Sequence, residues 1–137
     1  WGDEMRAEKV VYDLLTGSEA VTALVGLKIY PGLIPQNTTM PAVSYELISS
    51  VDIPPINAQA SGVILRSRVQ VSALARTYAE VKTIQEAIRR ALLFKSGLIA
   101  GVQVNAITRE LIGSDERDDE SGLYMQGVDF LLIHEEN

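Results

Sequence analysis

The chain has 137 residues, 47% hydrophobic and 22% charged, with a formal net charge of −6. It reads as a single globular domain, long enough to bury roughly two-thirds of its unfolded surface. The absence of cysteine removes disulfides and thiolate metal sites, and the acidic balance argues against tight binding to phosphate backbones, which needs clustered Lys and Arg.

Trp1-Gly-Asp-Glu4 precedes Met5 and reads as a tag remnant or a flexible start, and no signal peptide is expected. No apolar run approaches the roughly 18 residues of a membrane span. Residues 4–15 predict a helix, because Ala7, Val10, Val11, Leu14 and Leu15 share one face, with a stop near Gly17. Ser18 suits the N-cap of a short helix from Glu19 to Val25, ended by Gly26. Leu27 to Tyr30 is a short strand candidate. The prolines of residues 31–41 mark a loop, since proline fixes φ and donates nothing to a ladder. Ala42 to Ser50 alternates through Val43, Tyr45 and Leu47 as a strand. Residues 51–62, with Pro54-Pro55, form the longest irregular stretch, expected to be functional or mobile.

From Val63 to Ala75 the apolar residues fall mostly on odd positions, while Arg66, Arg68, Gln70 and Ser72 point the other way. That is a half-buried strand of unusual length, part of it expected to project beyond the domain. At Thr77 the period changes. Thr77-Tyr-Ala-Glu80 is a capping box, and Val81, Ile84, Ile88, Ala91 and Leu92 repeat at helical spacing up to Lys95, with a stop at Gly97. Gly97-Leu-Ile-Ala-Gly101 reads as that helix stop and the start of the next strand, not as a phosphate cradle. Val102 to Ile112 is a strand with Val102, Val104 and Ala106 on one face. Residues 113–122 are a charged mobile loop, and Leu123 to His134 is the closing strand. The order α-α-(β)-β-β-α-β-β predicts an α+β fold: a mostly antiparallel or mixed sheet of four main strands, with helices packed on one face.

Catalytic chemistry is nearly absent. There is no nucleophile elbow, Walker loop or zinc spacing, so no catalytic residue, cofactor or metal is predicted. His134, the only histidine, is expected to be a surface or edge residue and not a general base. Asp115, Glu116, Asp118, Asp119 and Glu120 form the densest charge cluster, but Arg117 interrupts it and the EF-hand spacing fails. Two readings stay open: a solvated loop, or a negative surface facing a channel or a basic partner. Arg66, Arg68, Arg76, Arg89 and Arg90 lack the interleaved aromatics of a nucleic-acid reader. They read as groups for pairing with carboxylates, within the domain or across an interface.

The segment Arg66-Ser-Arg-Val-Gln-Val, Thr77-Tyr-Ala-Glu80 and Ala87-Ile-Arg-Arg-Ala-Leu92 resembles the tail-completion proteins of long-tailed phages, also described as tail terminators or tail-to-head joining proteins. Leu14-Leu15 with Val21-Thr-Ala-Leu-Val-Gly26, Pro41-Ala-Val-Ser-Tyr45 and Val128-Asp129-Phe130 agree in order. Met125-Gln126-Gly127 departs from that pattern, standing where basic residues are common in the family.

The resemblance implies a single tail-terminator-like domain over 1–137 and a structural, non-enzymatic role. It implies a ring, taken as a hexamer, that caps the finished tail tube at the head-proximal end of the virion tail. Its partners would be further copies, the major tail tube protein and a head-completion or neck protein, with DNA passing through the lumen and no membrane. Assembly would take place in the host cytoplasm. Length, the Pro-Pro pair and charge make 51–62 and 114–121 the candidate partner-facing or lumen-facing loops. Their candidate residues are Asp52, Pro54, Pro55, Asn57, Gln59, Asp115, Glu116, Asp118, Asp119 and Glu120. Arg66, Arg68, Gln70 and Arg76 are the subunit-interface candidates. Another neck component, such as a stopper protein, and a small nucleic-acid-binding α+β module remain as alternatives.

Overall fold

The computed structural model describes residues 6–53 and 63–136. Helix α1 (Arg6–Thr16) buries Ala7, Val10, Val11 and Leu15, the face expected from the 3.6-residue period. Helix α2 (Glu19–Val25) starts where Ser18 Oγ accepts the Val21 N–H at 3.4 Å and ends at Gly26, φ 63°. Helix α3 (Tyr78–Leu92) starts at Thr77, whose Oγ1 accepts the Glu80 N–H at 3.2 Å. The Glu80 carboxylate meets the Thr77 hydroxyl at 3.3 Å instead of the backbone amide of an ideal capping box. All five apolar positions predicted for this helix are buried.

The described strands are β1 (Ile29–Pro31), β2 (Ala42–Ile53), β3 (Val63–Ala75), β4 (Gly97–Ile99), β5 (Val102–Ile112), β6 (Glu116–Arg117) and β7 (Tyr124–Glu136). They form one mixed sheet in the order β1-β2-β3-β7-β5-β4, with β6 paired to β7. Only β1 with β2 is parallel among the described pairs. The fold is therefore α+β. The order of elements along the chain departs from the expected one by two short strands, β4 and β6. Helix α3 stops before Lys95 because Phe94, at φ 64°, donates its N–H to the Ile107 carbonyl at 2.9 Å and draws the chain onto β5. Gly97 then opens β4. Ala100 (φ 51°) and Gly101 (φ 78°) make a two-residue turn between the paired Ile99 and Val102, the left-handed geometry that suits the twist of a hairpin.

Strands β3 and β7 pair without interruption from Val63↔Glu136 to Ala75↔Tyr124. Directly opposed residues share a face. Val69, Val71, Ala73 and Ala75 therefore lie beside Phe130, Val128 and Gln126, and together with Ile84, Ile88 and Leu92 they make the core. Phe130, Leu132, Ile84 and Ile88 are fully buried. Each such side chain contributes about 1.5–3 kcal/mol of transfer free energy. In β5 a register shift between Val104 and Ala106 changes the parity, so Ile107 is fully buried and Ala106 only half-buried. The predicted Val102-Val104-Ala106 face is corrected accordingly.

Ala100 occupies a left-handed position that costs an ordinary residue roughly 1–2 kcal/mol and that Asn tolerates. Ala100→Asn is expected to raise stability by about 0.5–1 kcal/mol. A urea midpoint that stays unchanged or falls would contradict the turn assignment.

Candidate assembly surfaces

The acidic segment is a folded hairpin. Glu116 and Arg117 pair with Met125 and Tyr124. Beyond them the Gly122 N–H donates to the Asp118 carbonyl at 2.7 Å, and the Asp118 N–H donates to the Leu123 carbonyl at 2.9 Å. The root of this hairpin is fixed to α3. Lys82 Nζ binds the Asp115 carboxylate and also donates to Gln126 Oε1 at 3.1 Å. Gln126 Nε2 in turn donates to the Gly113 carbonyl at 2.9 Å, and Gly113 N–H donates to the Gly127 carbonyl at 2.8 Å. A Cβ on Gly113 would stand 2.6 Å from that carbonyl oxygen, so only glycine permits the approach.

Of the predicted acidic residues, Asp115 is used internally, by Lys82 and by the Tyr78 hydroxyl at 3.3 Å. Asp119 pairs with Arg117 at 2.8 Å. Ser121 Oγ donates to Asp118 at 2.7 Å; this bond, with the Glu120 amide, holds the Asp118 carboxyl below its ordinary pKa. Glu116 and Glu120 are exposed and form no ion pair among the described residues. The hairpin and the outer face of the sheet enclose an open groove of ≈ 530 Å³, with Leu74, Leu123 and Met125 as its apolar lining and Glu116 and Asp118 as its acidic part.

Arg66, Arg68 and Gln70 lie on the sheet face turned away from the core, and Arg76 in the bend between β3 and α3. Arg68 Nε donates to Asp129 Oδ2 at 2.7 Å, across the β3–β7 pair, and the Asp129 side chain is only 8% exposed. Arg68 is thus committed inside the subunit. Arg66 and Arg76 are exposed and form no ion pair among the described residues, and Gln70 is half-buried. The helix arginines are also used: Arg89 and Arg90 both bind Glu86, and the Arg89 hydrogen bond first, then Arg90, lowers the Glu86 pKa to about 2. Leu131 and Ile133 lie opposite Arg68 and Arg66 and are half-buried. Asp52 is exposed near the end of β2, whereas Pro54, Pro55, Asn57 and Gln59 lie outside the described residues.

Sequence reading missed a buried polar chain. His134 is 1% exposed, not a surface or edge residue, because Val128, Phe130, Leu132 and His134 continue the two-residue period of β7 onto the core face. That period was the available signal. His134 Nε2 lies 2.8 Å from Ser67 Oγ, which lies 2.6 Å from Ser50 Oγ, linking β7, β3 and β2. The serine–histidine contact resembles a nucleophile and its base, but Ser67 is fully buried. It acts as a staple across three strands.

The family described as tail completion protein gp17 matches residues 9–135 of the chain. A chain of a solved structure titled "Virion of native gene transfer agent (GTA) particle" is 17% identical and aligns over 99% of both chains with a TM-score of 0.77. That likeness shows the fold. A search of curated proteins finds no match.

Burial pushes the His134 imidazole below its ordinary pKa of 6.5, the Arg6 charge adding to the effect and the Glu135 backbone opposing it. The folded state therefore binds fewer protons than the unfolded state just below pH 6.5. The associated stability is complete above that pH and is lost as pH falls toward the depressed value. Urea midpoints are expected to drop between about pH 7 and about pH 5.5 in the native chain, and less steeply in His134→Gln. Equal slopes in the two proteins would refute a buried neutral histidine.

Proposed function

This chain belongs to the tail completion protein gp17 family, and from that premise we propose that it closes the end of a phage-type tail tube as a ring and presents the surface that meets the head. Family membership makes it a structural component of a phage-like tail or neck. The ring, its place at the head-proximal end and the passage of DNA through its lumen are our reading. So are a six-copy ring, the tube protein below it and a head-completion protein above it.

The acidic hairpin carries this reading furthest. A flexible acidic loop would present a blurred charge, whereas this hairpin is anchored to α3 through Lys82, Gln126 and Gly113. The Glu116 and Glu120 carboxylates form no ion pair among the described residues. A chain of net charge −6 repeated around a ring builds a negative rim. Such a rim repels the phosphate backbone and lets DNA move past without sticking. Arg66 and Arg76 are available to a carboxylate on a neighbour, and the stretch beyond Ile53, where β2 ends, is proposed to face the tube.

Particles assembled without this chain are expected to accumulate filled heads and separate tails, and the purified protein should restore joining in an extract. Normally joined particles in its absence would contradict the proposal. Glu116→Gln with Glu120→Gln should leave thermal stability within about 0.5 kcal/mol of the native chain, because both residues are exposed. Joining should persist while DNA delivery falls by about tenfold.

A further inference from the structure

Among the described residues the sheet is open, and both of its ends are unfinished. On one side β1 covers only Val43 to Tyr45 of β2, so Glu46 to Ile53 has no neighbouring strand among the described residues. On the other side β4 covers Val102 to Val104, and the Phe94 amide takes the Ile107 carbonyl, which leaves Thr108 to Ile112 of β5 open among the described residues. A free edge of this length is a row of unpaired donors and acceptors, which natural proteins normally shorten, charge or cover.

These edges are apolar as well as open. Ile48 and Val51 on β2 are 48% and 56% exposed, and Leu27 and Leu33, flanking β1, are 82% and 93% exposed. At the opposite end Leu111 and Ile112 are each 53% exposed, with Phe94 and Leu98 beside them at 78% and 74%. Most of the large exposed apolar side chains among the described residues thus gather at the two ends of the sheet. Charge divides the same way. The β2 edge carries Glu46 and Asp52, whereas the β5 end carries Arg109 and Lys95 with Glu110, and none of these forms an ion pair among the described residues.

We propose that the β2 edge of one copy pairs antiparallel with the β5 edge of the next, so that the sheet runs on from subunit to subunit. The direction follows from topology. Counting across β2, β3, β7 and β5, each antiparallel to the last, β2 and β5 run in opposite senses. Two copies set side by side in the same orientation therefore meet as an antiparallel pair. The register agrees, because Leu47, Val69, Phe130 and Arg109 form one row across the sheet. The free stretches overlap at that height. Both edges are also kinked there, β2 between Leu47 and Ser49 and β5 between Arg109 and Leu111. A bulged edge resists a flat partner and favours one kinked at the same level.

The contact is head-to-tail, so it satisfies both edges only by repeating, and it closes if the rotation per copy allows. Closure into a ring is the step that rests on the proposed function; the pairing itself does not. An isologous β2–β2 dimer would leave every β5 edge open, and is disfavoured for that reason.

The test uses two full-length variants, Ile48→Lys with Val51→Lys on the β2 edge and Leu111→Lys with Ile112→Lys on the β5 edge. All four residues are exposed, so circular dichroism should show both variants folded. In sedimentation velocity the native chain should form multimers, and each variant alone should lose every species above monomer. Mixed in equal amounts, the intact β5 edge of the first should pair with the intact β2 edge of the second, giving a species of twice the mass and nothing larger. A blocked variant that still self-associates, or a mixture that stays monomeric, overturns the edge pairing. Rings that persist in both blocked variants would overturn it while leaving the ring reading intact. Particles that carry the native chain as a single copy would remove the ring reading, and a mass-doubled mixture would still support the pairing.

Discussion

The uninterrupted ladder between β3 and β7 is the constraint on which the rest of the molecule depends. Its thirteen opposed pairs run without a bulge from Val63↔Glu136 to Ala75↔Tyr124. Because the side-chain period of a strand is two, a slip of one residue would turn every side chain to the other face. Several unlike interactions would be lost together. Val69 and Val71 would leave Phe130 and Val128, Ser67 would leave His134, and Arg68 would leave Asp129. The ladder is thus pinned from both faces, by apolar core packing on one and by an ion pair on the other.

The flanking ladders are less regular, and that difference has consequences. Both β2–β3 and β5–β7 carry register shifts. A rigid centre with kinked margins gives a curved sheet whose ends are shaped differently from its middle. The acidic hairpin hangs from the same frame. Gln126 sits in β7 opposite Ala73, accepts from Lys82 of α3 and donates to Gly113 at the end of β5. One buried amide therefore ties helix, central strand and hairpin root together. Gln85 adds to this node by donating to the Gln126 carbonyl at 2.6 Å. A buried polar group of this kind is costly unless satisfied, and here its partners fix the position of a charged surface element.

Much of this was legible in the sequence because burial repeats at a fixed period. The β3 alternation and the α3 helix emerge where the residues predicted them, and Ser18 and Thr77 cap the helices they precede. Elements defined by pairing alone were not legible. Gly97-Leu-Ile and Glu116-Arg117 are too short to show a period, and they become strands only because β5 and β7 lie beside them. The early end of α3 depends on a long-range bond from Phe94 to Ile107 that no local pattern encodes. His134 was hidden for another reason: a polar residue at a strand end suggests solvent, although its position in the β7 period pointed inward. For the surfaces, charge was readable and commitment was not. Arg68 and Asp115 looked available in the sequence, and the structure pairs each within the subunit.

The central claim is that this chain forms a closed ring where a tail tube meets a head. Cryo-electron microscopy of particles carrying the chain measures this most directly. The account predicts a single ring of identical subunits at the head-proximal end of the tube, with the acidic hairpins on its rim. Density for the chain at the tail tip or inside the head, or as an isolated copy at the neck, would contradict it.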